Sequence, residues 1–183
     1  MTVKKKIKIV IFGDLNNIIC RVLFWQMMKL SKEKNIELIK FYNTAKNNEN
    51  LIKNIINFIF IKIFNPLKHN FFFNNTGIFI KFFSNIDIQN IPNINEKNFV
   101  KYLHQSRYDY AFSFCCNQIF KKKTLKCFKK VINYHSSILP NYRGLNSTLW
   151  SIFFEEKFTG YTFHYTSSKI DNGKIILKNK FKI

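Results

Sequence analysis

The chain has 183 residues, the size of one domain, and at 46% hydrophobic content it is long enough to bury about 70% of its unfolded surface in a core. Its 30 Lys and Arg residues against 10 acids give a net charge of +20, which suits a basic face for tRNA, nucleotide-linked substrates or the glutamate tail of folate. Lys, Asn, Ile and Phe are in excess together, with only Ala45 and Ala111 as alanines. That skew is expected of AT-rich coding whatever the function, so charge alone assigns no partner. Cys20, Cys115, Cys116 and Cys127 show no CxxC spacing, and the longest apolar stretch, Ile55 to Phe64, is broken by Lys62 at about half the roughly 20 residues of a membrane span. Disulfides and a membrane segment are therefore not expected, and with no signal-like N-terminus the expected compartment is the cytoplasm.

Ile7-Lys8-Ile9-Val10-Ile11-Phe12 reads as a buried strand closed by Gly13-Asp14, and Ile18 to Leu30 as a helix capped by Asp14 or Asn16. Its apolar face is expected to be Ile18, Ile19, Val22, Leu23, Trp25 and Met28. A strand running into a helix N-terminus is an anion site in principle, but one glycine does not make a dinucleotide fingerprint. Ile36 to Tyr42 is a second strand and Glu49 to Phe64 a second helix, ended by Asn65-Pro66. From His69 to Asn98 the signal weakens: Phe71 to Phe73 and Ile78 to Ile80 are candidate short strands around a turn at 74–77, within what reads as a variable insertion.

Glu96 to Ser106 then suggests a helix, Tyr108 to Cys116 a strand, and Phe120 to Lys130 a basic amphipathic helix. After the strand that begins at Val131, a helix capped by Asn146 or Ser147 runs through Phe154, with Leu149, Ile152 and Phe153 facing inward. Gly160 to Thr166 and Lys174 to Lys180 are strands flanking a turn. The alternation of strands and helices indicates the α/β class, and residues 1–183 are expected to form a single domain, possibly shortened at its C-terminus.

The chemistry-bearing stretch begins at Val131-Ile132, an apolar run leading into Asn133 and His135. Two residues apart on a strand, the amide and the imidazole point to one face, at the carboxyl end where open α/β sheets hold ligands. Pro140 and Gly144 punctuate the loop that follows, and Asp171 comes 36 residues after His135. An amide donor, a titratable ring and a carboxylate are the groups that addition of an amine to a carbonyl needs. His69, His104, His135 and His164 lack paired ligand spacing, so no metal is expected.

Asn133-Tyr134-His135-Ser136-Ser137-Ile138-Leu139-Pro140, Tyr142-Arg143-Gly144, Thr159 to His164, and Ile170-Asp171-Asn172-Gly173 together resemble the successive motifs of the formyltransferases that use 10-formyltetrahydrofolate. The resemblance covers roughly the last third of the chain, in the family's order and spacing. It implies a Rossmann-like, open twisted sheet, mostly parallel, with helices on both faces. It makes Asn133, His135 and Asp171 the catalytic trio, and gives the folate donor to Cys115, Asn117, Leu139 and Ile170. Gly13, Asp14, Ser137 and Arg143 fall to the acceptor. Read from the residues alone, Cys115 fits equally as a buried small hydrophobe, Ser137 as a turn hydroxyl, Arg143 as a brace for its loop and His164 as a structural residue.

The implied reaction is direct transfer of a formyl group to a primary amine, with Asn133 and His135 holding the oxyanion and Asp171 tuning His135. Leu145 to Trp150 is closer to formyltransferases of amino sugars than to those of transfer RNA, so a sugar-linked or small-molecule amine leads. Nucleic acid enters only if the acceptor is a charged tRNA. Glycinamide ribonucleotide fits less well, since enzymes acting on it usually lack the Tyr142-Arg143 pair. The alternative class is a non-catalytic folate- or partner-binding remnant.

Overall fold

A computed structural model describes residues 6–45 and 86–183. Seven strands form one sheet: β1 (Ile7–Gly13), β2 (Ile36–Asn43), β3 (Asp87–Asn90), β4 (Tyr110–Phe114), β5 (Lys130–His135), β6 (Phe158–Tyr165) and β7 (Ile175–Lys182), in the order β3-β2-β1-β4-β5-β6-β7. From β3 to β5 every pair is parallel, whereas β6 and β7 run antiparallel. The chain leaves β1 towards β2 and β3, then crosses back to β4 on the other side. The strand order therefore reverses between β1 and β4, the place where such sheets open a ligand crevice at their carboxyl ends.

β1 lies between two strands and is covered on both faces, which explains its nearly continuous apolar run. One face carries Val10, Phe12, Tyr42, Ala111 and Val131 against helix α2 (Lys97–Ser106) and the single turn α3 (Lys122–Leu125). Phe12 stacks on Tyr42 at 5.1 Å and meets Phe120 edge-on at 5.2 Å, contacts that add about 0.5–1.5 kcal/mol each beyond burial. The other face carries Ile11, Phe41 and Phe114 against helix α1 (Ile18–Glu33).

Local expectations give way to tertiary contacts at four points. In α1 the inward stripe is Cys20, Phe24 and Met28, at i, i+4, i+8, whereas Ile18 and Ile19 are exposed. The cap is Asn17, whose side chain accepts the Ile19 N–H at 2.9 Å, because Asp14 is engaged by the Asn16 N–H and Asn16 is outside the first turn. The helix expected over 120–130 shrinks to α3: the Lys129 N–H donates to the Asp109 carbonyl and Lys130 pairs with Tyr110, so the sheet claims the end of that segment.

Helix α4 (Ser147–Phe153) is turned round relative to its sequence pattern. Ser147 and Ser151 are buried, while Leu149, Ile152 and Phe153 are exposed. Hydrogen bonds decide this. The Ser147 and Ser136 hydroxyls meet at 3.0 Å and Thr148 Oγ1 donates to the Ser136 carbonyl at 2.6 Å, drawing the polar side towards β5. Asn146 precedes the helix in the left-handed region and makes no side-chain cap bond.

Within the weak region 69–98, residues 87–90 form β3 in parallel register with β2, a strand that four exposed residues do not announce. The expected helix 49–64, the short strands around 71–80 and their turn lie outside the described residues. No helix among the described residues is long and apolar enough to cross a membrane.

Candidate active site

Three segments converge at the carboxyl end of β5. Alternation along β5 puts Asn133 and His135 on one face, and antiparallel pairing sets His164 of β6 directly opposite Asn133. After β6 the chain turns back through Asp171, itself in the left-handed region with φ of 45°. That return is close: a Cβ on Gly173 would lie 1.5 Å from the Tyr165 carbonyl oxygen, so only glycine fits there.

Asp171 is the hub. Its Oδ2 accepts the Gly144 N–H at 2.8 Å and faces His135 Nδ1 at 3.3 Å. Its Oδ1 lies 3.4 Å from both Asn133 Nδ2 and His164 Nε2. Asn133 Nδ2 also approaches His164 Nε2 at 3.1 Å, while His135 Nε2 meets the Tyr142 carbonyl at 2.8 Å. Burial pushes the Asp171 carboxyl up, but the His164 contact, the Gly144 N–H and the facing His135 outweigh it and hold the group below its ordinary value of 3.8. The site thus keeps a carboxylate, two imidazoles and an amide within one shared network.

Above them opens a cavity of about 600 Å³. Asn133, His135, His164 and Asp171 form its floor. One wall is the loop after β4, with Cys115, Cys116 and Asn117, and another is the turn carrying Lys169 and Ile170. Its remaining borders are Leu145 to Leu149 at the start of α4 and, from α1, Asn17 and Ile19. Burial pushes the Cys115 thiol up to about 11, helped by nearby Asp14, so this wall is a packed thiol rather than a nucleophile.

The other candidate residues stand apart from the cavity. Leu139 is buried, its N–H donating to Thr162 Oγ1 at 3.1 Å, and Thr162 in turn donates to the Ser137 carbonyl at 2.7 Å. The Ser137 hydroxyl turns to the Asn141 and Tyr142 carbonyls. These bonds shape the 136–144 loop and so hold the Tyr142 carbonyl against His135. Arg143 is exposed and forms no ion pair with another described residue. Gly13 is a packing position, where a Cβ would lie 2.5 Å from Cys20 Sγ and 2.7 Å from the Phe114 carbonyl oxygen. Asp14 holds its turn through the Asn16 N–H. No group of three or more His, Cys, Asp or Glu able to hold a metal occurs among the described residues.

Two residues at the cavity were not singled out by the sequence. Asn17 was missed because the first helical turn was expected to be capped one residue earlier. His164 was left open because its place opposite Asn133 depends on β5–β6 register, which no local pattern encodes.

Residues 73–183 match the family model described as formyl transferase. Over 92 residues the chain is 38% identical to the bifunctional polymyxin resistance protein ArnA of Wigglesworthia glossinidia brevipalpis, covering 50% of this chain and 14% of that protein. It is 30% identical over 99 residues to methionyl-tRNA formyltransferase of Finegoldia magna, 54% of this chain and 32% of the relative. It is 40% identical over 60 residues to GDP-perosamine N-formyltransferase of Brucella melitensis, 32% of this chain and 23% of the relative. The matched part is thus between 14% and 32% of the length of these proteins. In fold, the chain superposes on glycinamide ribonucleotide transformylase 1 from Symbiobacterium toebii with a TM-score of 0.67 at 13% identity, over 98% of this chain and 75% of that one.

Proposed function

The chain belongs to the formyl transferase family, and on that premise we propose that it moves a formyl group from 10-formyltetrahydrofolate to the primary amine of a sugar-linked or other small acceptor. The observation that carries this is the convergence of Asn133, His135 and Asp171 at the floor of one cavity. A donor with a flat heterocycle suits the slot between the loop after β4 and the 169–171 turn, where Cys116, Asn117, Ile119 and Ile170 offer apolar walls beside polar groups. The opposite border, Asn17 and Ile19 with Leu145 to Leu149, is left for the acceptor.

When bound, the donor supplies a formyl carbon and a departing nitrogen. One C–N bond forms to the acceptor amine, one breaks, and a proton passes from the attacking to the departing nitrogen. Charge that develops on the formyl oxygen needs donors already in position. Asn133 Nδ2 is one; His135 Nε2, which leaves the Tyr142 carbonyl as a substrate oxygen enters, is the other. Asp171 stays ionised because of its partners, steadies His135 through Nδ1, and relays the proton directly or through water.

A small amine acceptor is supported by the similarity to GDP-perosamine N-formyltransferase. The net charge of +20 favours a second acceptor, initiator methionyl-tRNA, in keeping with the similarity to methionyl-tRNA formyltransferase. The test is release of tetrahydrofolate by the purified protein given 10-formyltetrahydrofolate with nucleotide-linked amino sugars or with methionyl-tRNA. Acceptor-dependent release that falls about 10²- to 10³-fold in Asn133→Ala is expected. Saturable folate binding without release on any acceptor would replace the transferase with a non-catalytic folate-binding protein.

A further inference from the structure

His164 is 1% exposed and is enclosed by the network rather than by the apolar core. Its ring nitrogens face different partners. Nδ1 lies 3.0 Å from the Tyr165 carbonyl, which only accepts, so Nδ1 carries a proton. In the neutral ring Nε2 then holds a lone pair. Two groups adjoin it, Asn133 Nδ2 at 3.1 Å and Asp171 Oδ1 at 3.4 Å. A lone pair facing a carboxylate oxygen gains nothing, whereas one facing an amide N–H accepts a hydrogen bond. The shorter contact is therefore a bond from Asn133 to His164, and Nε2 does not donate to Asp171 at the same time.

An asparagine side chain has two ends of nearly the same shape, of which only one donates. Had Asn133 turned its oxygen to His164, two lone pairs would face each other inside a closed site, an arrangement that burial makes costly. One N–H of Asn133 is held by His164. The other, 3.4 Å from Asp171 Oδ1, is only loosely engaged and is available to a substrate oxygen.

We propose that His164 is a positioning residue that uses the lone pair on Nε2 to hold the Asn133 amide with its N–H groups, not its oxygen, towards the reaction centre. What that N–H does rests on the formyl-transfer mechanism above; the orientation of the amide does not.

The test has two parts on the full chain. In protein labelled with 15N-histidine, the His164 signals, identified by their loss in His164→Gln, are expected at neutral pH to report a protonated Nδ1 and an unprotonated Nε2. In steady-state transfer, His164→Leu is expected to lower kcat about 10²-fold, the scale of one lost oxyanion donor, with KM for both substrates nearly unchanged. His164→Gln, whose side-chain oxygen reaches the position of Nε2, is expected to recover most of the rate. A protonated Nε2 in the wild type would overturn the proposal, as would a leucine variant that turns over like the wild type or a folded glutamine variant as slow as Asn133→Ala. If the leucine variant does not fold, the ring signals and the glutamine variant decide. An unprotonated Nε2 in a protein that transfers nothing would remove the formyl-transfer mechanism while supporting the amide orientation.

Discussion

The two ends of β-strands that border the cavity are built on opposite principles. At β5 and β6 the chain is held by side-chain polar groups: Asn133, His135, His164 and Asp171 bond to one another and to the backbone of two loops. At β1 the turn into α1 is held by packing, with Gly13 pressed between Cys20, Phe114 and Phe41, and only Asn17 and Ile19 reach the cavity. Where function demands particular polar atoms, the neighbouring backbone is tied to them. Where it demands only a wall, apolar contact suffices and the exposed residues are free to vary with the acceptor.

Three substitutions probe that contrast, in falling order of effect. Asp171→Asn removes the hub's charge while keeping its shape, and transfer is expected to fall about 10²- to 10⁴-fold with the circular dichroism spectrum unchanged. The same variant changes acid stability. Because the folded Asp171 holds its proton less tightly than an ordinary aspartate, the folded state binds fewer protons than the unfolded state just below pH 3.8. Stability from Asp171 is present above that pH and is lost as pH falls through the lower folded value. Thermal melts between about pH 5 and pH 2 should show a shallower acid loss in Asp171→Asn than in the wild type.

The packing principle predicts a different signature for Gly13→Ala. The new Cβ would press on Cys20 Sγ and on the Phe114 carbonyl, and the backbone oxygen cannot swing aside. Urea unfolding is expected to show a loss of about 1–3 kcal/mol, with kcat of the folded fraction close to wild type. A large fall in kcat with stability intact would mean that the β1 turn takes part in the chemistry and would break the contrast. Smallest of the three, Asn17→Ala removes the bond to the Ile19 N–H and is expected to cost about 1 kcal/mol. Because Asn17 borders the cavity, its variant should raise the KM of the acceptor more than that of the donor, measured with each substrate varied in turn.

The legibility of the molecule follows the same division. Asn133, His135 and Asp171 could be picked out because a motif that performs chemistry keeps residue types and spacing together, and period-two alternation already puts Asn133 and His135 on one face. β1, β2, β5 and β6 were legible as apolar or alternating runs, and α2 through its capping glutamate, Glu96, which accepts from the Asn98 and Phe99 N–H groups. The orientation of α4 was not. Leu149, Ile152 and Phe153 look like a core face, yet four hydrogen-bonding hydroxyls on Ser136, Ser147, Thr148 and Ser151 turn them outward. β3 was equally hidden, since its four exposed residues owe their strand to the parallel ladder with Lys40 to Asn43.

By itself the amino-acid sequence determined the α/β alternation, the family motifs and the residues able to supply a donor, a base and a carboxylate, because these depend on local spacing and residue chemistry. Tertiary structure alone decided that His164 stands opposite Asn133, that Asn17 and Ile19 rather than Gly13 reach the cavity, and that Gly173 lies against the Tyr165 carbonyl. Each depends on register or close approach between segments distant along the chain, where a shift of one residue would turn a side chain to the other face.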